Sequence, residues 1–250
     1  MYKKWCENVI ALESAIEQLQ KDLRIIISKE QKDNEYSYTK LLSYLVVCWC
    51  EARVIKLIYE PEYTFTNKKG TFTKKKSFSE QEIEKIINSS TLKDKWITAL
   101  QIGISKAYGI ILDKKFPNSL PFTVRARYLV IIDLIENDLL PSIELRNRIA
   151  HGQWKQAFTN DLSAFSQPHT TALRKENIVS LQLNFGIFKH LAQLIHDLAS
   201  SPLTFERDFD SNYQIIEQNK LNLNSRDYKK YCEKLIEKYK RGQKRRNKKL

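Results

Sequence analysis

Glycine and proline are scarce, with six of each in 250 residues. So few turn-formers argue against a turn-rich β-sandwich and for long helices, as does the prominence of Leu, Ile, Lys and Glu. Cysteine is scarce as well: Cys6, Cys48, Cys50 and Cys232 form no Cys-x-x-Cys pair, and His151, His169, His190 and His196 offer no ligand spacing. No metal site and no cofactor is expected from such a set. Cys48 and Cys50 sit in an apolar run and read as small buried hydrophobes. Long hydrophobic runs are absent too. The longest near-apolar stretch, Leu41 to Cys50, is ended by Glu51 and Arg53, about half of the roughly 20 residues that a spanning helix needs. The opening MYKKWCENVIALESAIEQL has no uninterrupted apolar core, so it does not read as a secretory signal, and a cytoplasmic, non-membrane protein is expected.

What is present in quantity is apolar and basic. Hydrophobic residues at 42 % and aromatics at 11 % exclude a disordered chain and suffice for a real core. The net charge of +13 points to a polyanionic partner or a basic tail.

The pattern along the chain predicts helices. Val9, Leu12, Ile16, Leu19, Leu23 and Ile26 recur every three or four residues, the stripe of an amphipathic helix. A second helix, from about Tyr38 to Tyr59 and stopped by Glu60-Pro61, is apolar nearly all round and belongs at the centre of a bundle. Thr64 to Phe78 alternates Thr, Phe and Lys around Asn67-Lys-Lys-Gly70 and fits a short β-hairpin or a flexible basic loop. Ser79-Glu-Gln-Glu82 is a capping box opening a helix to about Asn88. Further helices are expected over Leu92–Leu112 and Val124–Glu136, and from Pro141 through Ala150, with Gly152 as the stop. Trp154 to Phe165 reads as a second small hairpin, and Lys175 to Ala199 as a long helix ended by Ser200-Ser-Pro202.

Residues 1–202 therefore read as one helical domain. Residues 203–250 read as a polar linker, a last amphipathic helix and a basic extension. In that extension Lys240, Arg241, Lys244, Arg245, Arg246, Lys248 and Lys249 supply seven positive charges and no negative ones, just over half of the net +13. Such a run is a non-specific phosphate contact, with Lys244, Arg245 and Arg246 its candidate RNA-binding residues, or an attachment point for a partner protein.

The informative segment is Ile143 to Trp154, IELRNRIAHGQW. Arg146-Asn147-Arg148-Ile149-Ala150-His151 resembles the Arg-Asn-x-x-x-His motif of HEPN domains, helical ribonucleases common in bacterial toxin–antitoxin and anti-phage systems. The specific likeness covers about a dozen residues, and the looser one, a bundle carrying this motif before a long final helix, runs from Tyr38 to Ala199. Residues 1–30 and 203–250 fall outside it.

The residues suit the chemistry. At about 100° per residue, Asn147 and His151 lie roughly 40° apart on one helix face, and Arg146 roughly 140° from His151. A planar guanidinium at Arg146 suits a scissile phosphate. An imidazole at His151 suits proton transfer. Asn147 would orient a ribose or phosphate oxygen, or fix the histidine tautomer. The resemblance implies metal-independent RNA cleavage by 2′-hydroxyl attack, leaving a 2′,3′-cyclic phosphate and a 5′-hydroxyl. It also implies a homodimer whose two-fold axis brings both Arg/His sets into one cleft, and a restraining antitoxin or defence-system partner.

Glu51, an acid in an apolar stretch, needs a cation. Arg146 is one partner, Arg53 or Lys56 a local alternative, and simple exposure a third. Arg148 reads as exposed or phosphate-binding, and Lys155 as an RNA contact. Trp154 reads as packing at the bundle's base before stacking on a nucleobase, and His190 and His196 as structural. Two other readings compete: a catalytically silent HEPN-like module that binds nucleic acid or protein, and a helix pair that serves dimerisation alone.

Overall fold

The computed structural model describes residues 1–61, 63–66, 72–75 and 77–247, the side chains of 63–66, 72–75 and 246–247 excepted. Among the described residues the fold is all-α with one small hairpin. Helix α1 (Tyr2–Ser28) turns through Glu30, at φ 57°, into α2 (Lys32–Ile58). The pair is zipped by the apolar stripe of α1, with Val9, Ile16, Leu23 and Ile27 all buried, and by Trp49 Nε1, which donates to Glu13 at 2.9 Å.

Strands β1 (Tyr63–Thr66) and β2 (Phe72–Lys75) pair antiparallel, Tyr63 opposite Lys75; the turn expected at 67–70 lies outside the described residues. Helix α3 (Glu80–Ile87) opens with the capping box the sequence announces: Ser79 Oγ accepts from Glu82 N, and Glu82 accepts from Ser79 N. Helix α4 (Leu92–Tyr108) is stopped by Gly109 at φ 66°, four residues before the expected end.

Helices α5 (Phe122–Asp133) and α6 (Leu140–Ala150) are joined by a π-helical stretch, Leu134–Leu139. The sequence suggests separate helices here because of Pro141. That proline does sit in the first turn of α6, but no loop precedes it. The i→i+5 bonding of a π turn widens the backbone ahead of the proline ring, so the chain passes through without a break.

The stretch 154–165 is no regular hairpin. One bridge, Phe158 to Phe165, closes a loop held by Thr159, Asp161 and Ser163. Those hydroxyl and amide contacts hold the exposed Asp161 carboxyl down at about 2. A short helix the pattern did not announce, α7 (Gln167–Lys175), precedes α8 (Ile178–Ser200). Helix α8 packs on α2, α4 and α9 and is the centre of the bundle.

Residues 203–225 correct the linker expectation: they form α9 (Pro202–Ser225). Phe205, Phe209 and Ile216 are buried in the same core as α8, and Arg127 lies 4.9 Å over the Phe209 ring. An aromatic every fourth residue is too thin a stripe to stand out among Asn and Asp, yet it suffices against an apolar neighbour. His190, 2.8 Å from Asn212, ties α8 to α9 as a structural residue would. Helix α10 (Tyr228–Asn247) continues through the basic run, so Lys244 and Arg245 stand exposed on its last turns rather than on a separate tail. The Arg246 side chain, Lys248 and Lys249 lie outside the described residues. Among the described residues no helix is long and apolar enough to cross a membrane.

Candidate functional site

The motif occupies the last two turns of α6, and the helix stops as its sequence requires. Gly152 takes φ +77°, its N–H donates to Ile149 O at 3.1 Å, and Gln153 N donates to Arg148 O at 2.9 Å. These paired bonds from the two residues beyond the cap satisfy carbonyls that a helix end leaves bare. They fix His151 as the last residue before the chain turns away.

The helix carries its motif on two flanks. On the flank facing α2, Arg146 Nη2 donates to Glu51 Oε2 at 3.1 Å. Of the three readings open to Glu51, the structure supplies the pairing with Arg146, and the carboxylate is also half-exposed (47 %) rather than buried. Cys48 lies nearby on α2. Burial pushes its thiol up, and the Tyr44 hydroxyl and the Arg146 charge pull it back.

The other flank forms one wall of an open groove of about 900 Å³. Asn147 and His151, both exposed, line it together with Arg148, Glu144, His169 and Lys93. The expected pairing of Asn147 with His151 on one face is thus present. Arg146 is not among the groove's lining residues; its guanidinium is turned to Glu51.

Arg148 departs from its reading as an exposed residue. It is only 9 % exposed, because its side chain lies between α6 and α7. Its Nη2 sits at the edge of the His169 ring, 3.1 Å from Nδ1 and 3.2 Å from Nε2. Ser166 Oγ stands 2.7 Å from His169 Nδ1, and Glu144 Oε2 stands 3.4 Å from Nε2.

Sequence reasoning gave no role to His169. It lies 18 residues beyond His151 on a helix that the pattern did not show, so spacing carried no signal for it. That helix is held from two sides. Ala157 N donates to Thr170 Oγ1 at 2.9 Å. Lys40 of α2, fully buried, pairs with Glu176 at 3.0 Å and donates to the Leu173 carbonyl. Ser43 donates to the same carboxylate at 2.7 Å. Burial draws the Lys40 ammonium below its ordinary value despite Glu176.

Beyond His151 a second open groove continues past Gln153, Trp154, Lys155 and Phe158. Trp154 packs on Leu145, Ile149 and Leu173 and donates from Nε1 to Ile149 O at 3.1 Å, the packing role expected of it. Lys155 is exposed and also borders a smaller basic cleft with Lys32 and Arg174. Lys244 and Arg245 belong to α10, and neither lines these grooves. Among the described residues, no three or more His, Cys, Asp or Glu side chains are grouped to hold a metal ion.

No protein-family profile, curated protein or solved structure matches the chain.

Proposed function

We propose that the protein is a metal-independent endoribonuclease of HEPN type, a toxin or anti-phage effector acting as a homodimer. The observation that carries this reading is the wall of the groove: Asn147 and His151 stand exposed, side by side on α6, next to a buried guanidinium. In the proposed reaction His151 accepts the proton of a ribose 2′-hydroxyl as the O2′–P bond forms. A second imidazole returns a proton to O5′ as the P–O5′ bond breaks, and Asn147 orients the ribose or phosphate. Arg146 supplies charge to the phosphate in a two-fold assembly in which α6 of each copy borders one cleft. Partners are RNA, a second copy and a restraining antitoxin or defence-system protein.

One observation favours the second reading, a catalytically silent module that binds nucleic acid or protein: Arg146 is committed to Glu51 and does not line the groove of His151. A single comparison decides between them. RNA is incubated with wild type, Arg146→Ala and His151→Ala in EDTA, and the ends are mapped. The nuclease reading expects 2′,3′-cyclic phosphate ends from wild type and loss of cleavage in both folded variants. RNA binding without cleavage by wild type sinks it and leaves the module.

A further inference from the structure

We propose that Arg148, with Asn147, His151 and His169 around it, forms a seat for a phosphate oxyanion. The choice of phosphate among anions rests on the nuclease reading above.

The electrostatics of Arg148 make the case. It is nine-tenths buried and yet borders an open groove. Its buried Nε–H, like that of Arg146, has no hydrogen-bond partner among the described residues, but Arg146 has a carboxylate and Arg148 has none. The acids nearby are engaged elsewhere: Glu51 holds Arg146, Glu144 reaches His169, and Asp94 accepts from the Thr91 hydroxyl at 2.7 Å. No ion pair to Arg148 is formed among the described residues. A guanidinium stripped of water and left without a counter-charge is a costly arrangement unless an anion completes it. Folding alone gives no reason to point such a group at a groove, because an apolar side chain of similar volume would pack there more cheaply.

The neighbours define the anion. A guanidinium fork offers two N–H groups to two oxygens, which suits a carboxylate or a phosphate. Here the Asn147 amide and the His151 imidazole border the same groove, with Lys93 beyond and the carboxylates of Asp94 and Glu144 also on its wall. That is more donors than the two oxygens of a carboxylate can use, whereas a phosphodiester embedded in a strand presents several. His169 is a positioning residue in this scheme. Ser166 and Glu144 hold its ring, and the ring edge holds the Arg148 fork.

The test uses the full chain and reads binding separately from cleavage. Imidazole resonances of His151 and His169 are followed by NMR during titration with inorganic phosphate, then with acetate at equal ionic strength. Affinity for a 2′-deoxy oligonucleotide, which has no 2′-hydroxyl to react, is measured by fluorescence anisotropy. Phosphate is expected to shift both resonances and acetate neither. Arg148→Gln should weaken oligonucleotide binding at least tenfold and remove the phosphate response. His169→Gln, at a half-exposed position, should weaken binding several-fold with an unchanged thermal melt, and it decides the matter if Arg148→Gln does not fold. Resonances indifferent to phosphate, or variants that melt earlier yet bind like wild type, overturn the seat. Wild type that cleaves RNA while binding ignores both variants loses the seat and keeps the nuclease. Wild type that binds phosphate through Arg148 but never cleaves loses the nuclease and keeps the seat.

Discussion

Arg146 and Arg148 lie two positions apart on α6, yet one guanidinium meets a carboxylate at 3.1 Å and the other, more deeply buried, meets only the edge of an imidazole. At about 100° per residue the two side chains leave opposite flanks of the helix. One flank faces α2, which supplies Glu51; the other faces α7 and the groove. Each arginine has Asn147 on one side and an aliphatic residue, Leu145 or Ile149, on the other. What differs is the neighbour, and the neighbour decides whether a cation is matched by a carboxylate or left without a counter-charge.

The largest effect expected from breaking this comparison lies on the groove flank. On the proposed nuclease reading, His151→Ala should lower RNA cleavage by roughly 100-fold or more. Glu51→Gln on the other flank should change it only several-fold, while costing less than about 1 kcal/mol of stability for a half-exposed ion pair. Single-turnover cleavage with chemical denaturation checks both, and a Glu51→Gln variant matching wild type in each would remove Glu51 from the site.

Next come the two arginines as methionines. Arg148→Met takes away a buried cation without a counter-charge and should raise the unfolding free energy by roughly 1 kcal/mol. Arg146→Met strands Glu51 and should lower it by less than about 1 kcal/mol. Equal signs in urea unfolding would contradict the difference between the flanks.

A smaller effect is expected at the helix stop. Gly152→Ala places a Cβ at φ +77° and should cost about 1 kcal/mol. Because it lies next to His151, cleavage should, on the same nuclease reading, fall with it.

The smallest effect concerns an ordinary ion pair remote from both flanks. Asp197, 3.4 Å from His196 Nδ1, and then Glu60, 3.4 Å from Nε2, hold the His196 imidazolium above its ordinary value. Burial pushes the Glu60 carboxyl up, but His196 and Tyr2 more than offset this and leave it lowered. The raised histidine stabilises the fold fully below about pH 6.5, and that contribution fades as the pH climbs through its folded value. The lowered carboxylate acts above about pH 4.5 and fades as the pH falls below that. Stability from the pair should therefore peak between these limits, by about 1 kcal/mol at most. His196→Gln should flatten the alkaline side in thermal melts taken from pH 5 to 8.

Much of this arrangement is legible in the sequence where a signal is local. The Ser79–Glu82 box, the Gly152 stop and the stripes of α1 and α8 all form as their residues announce. The Glu51–Arg146 contact is legible as one of three alternatives, because an acid in an apolar run finds a cation or reaches water. Contacts set by tertiary packing leave no such trace. Helix α9 forms because α8 offers its narrow aromatic stripe a surface, and Arg148 is buried because α7 covers it. His169 reaches the groove through a fold that brings together residues with no periodic relation.

The π-helical stretch Leu134–Leu139 has a consequence for all of this. A turn closed by i→i+5 bonds uses one residue more than an α turn, so it acts as a phase register for everything after it. Removing a single residue there, Asn137 for instance, would restore α geometry and leave α6 in nearly its present phase. Closing the same residues with i→i+4 bonds instead, with none removed, would turn α6 by about 100° about its axis. Glu51 and His169 would then face different side chains, although every residue from Arg146 to His151 was left unchanged. The spatial address of the motif is thus set some ten residues upstream of it, in a segment that contributes no side chain to the Arg–Asn–His set.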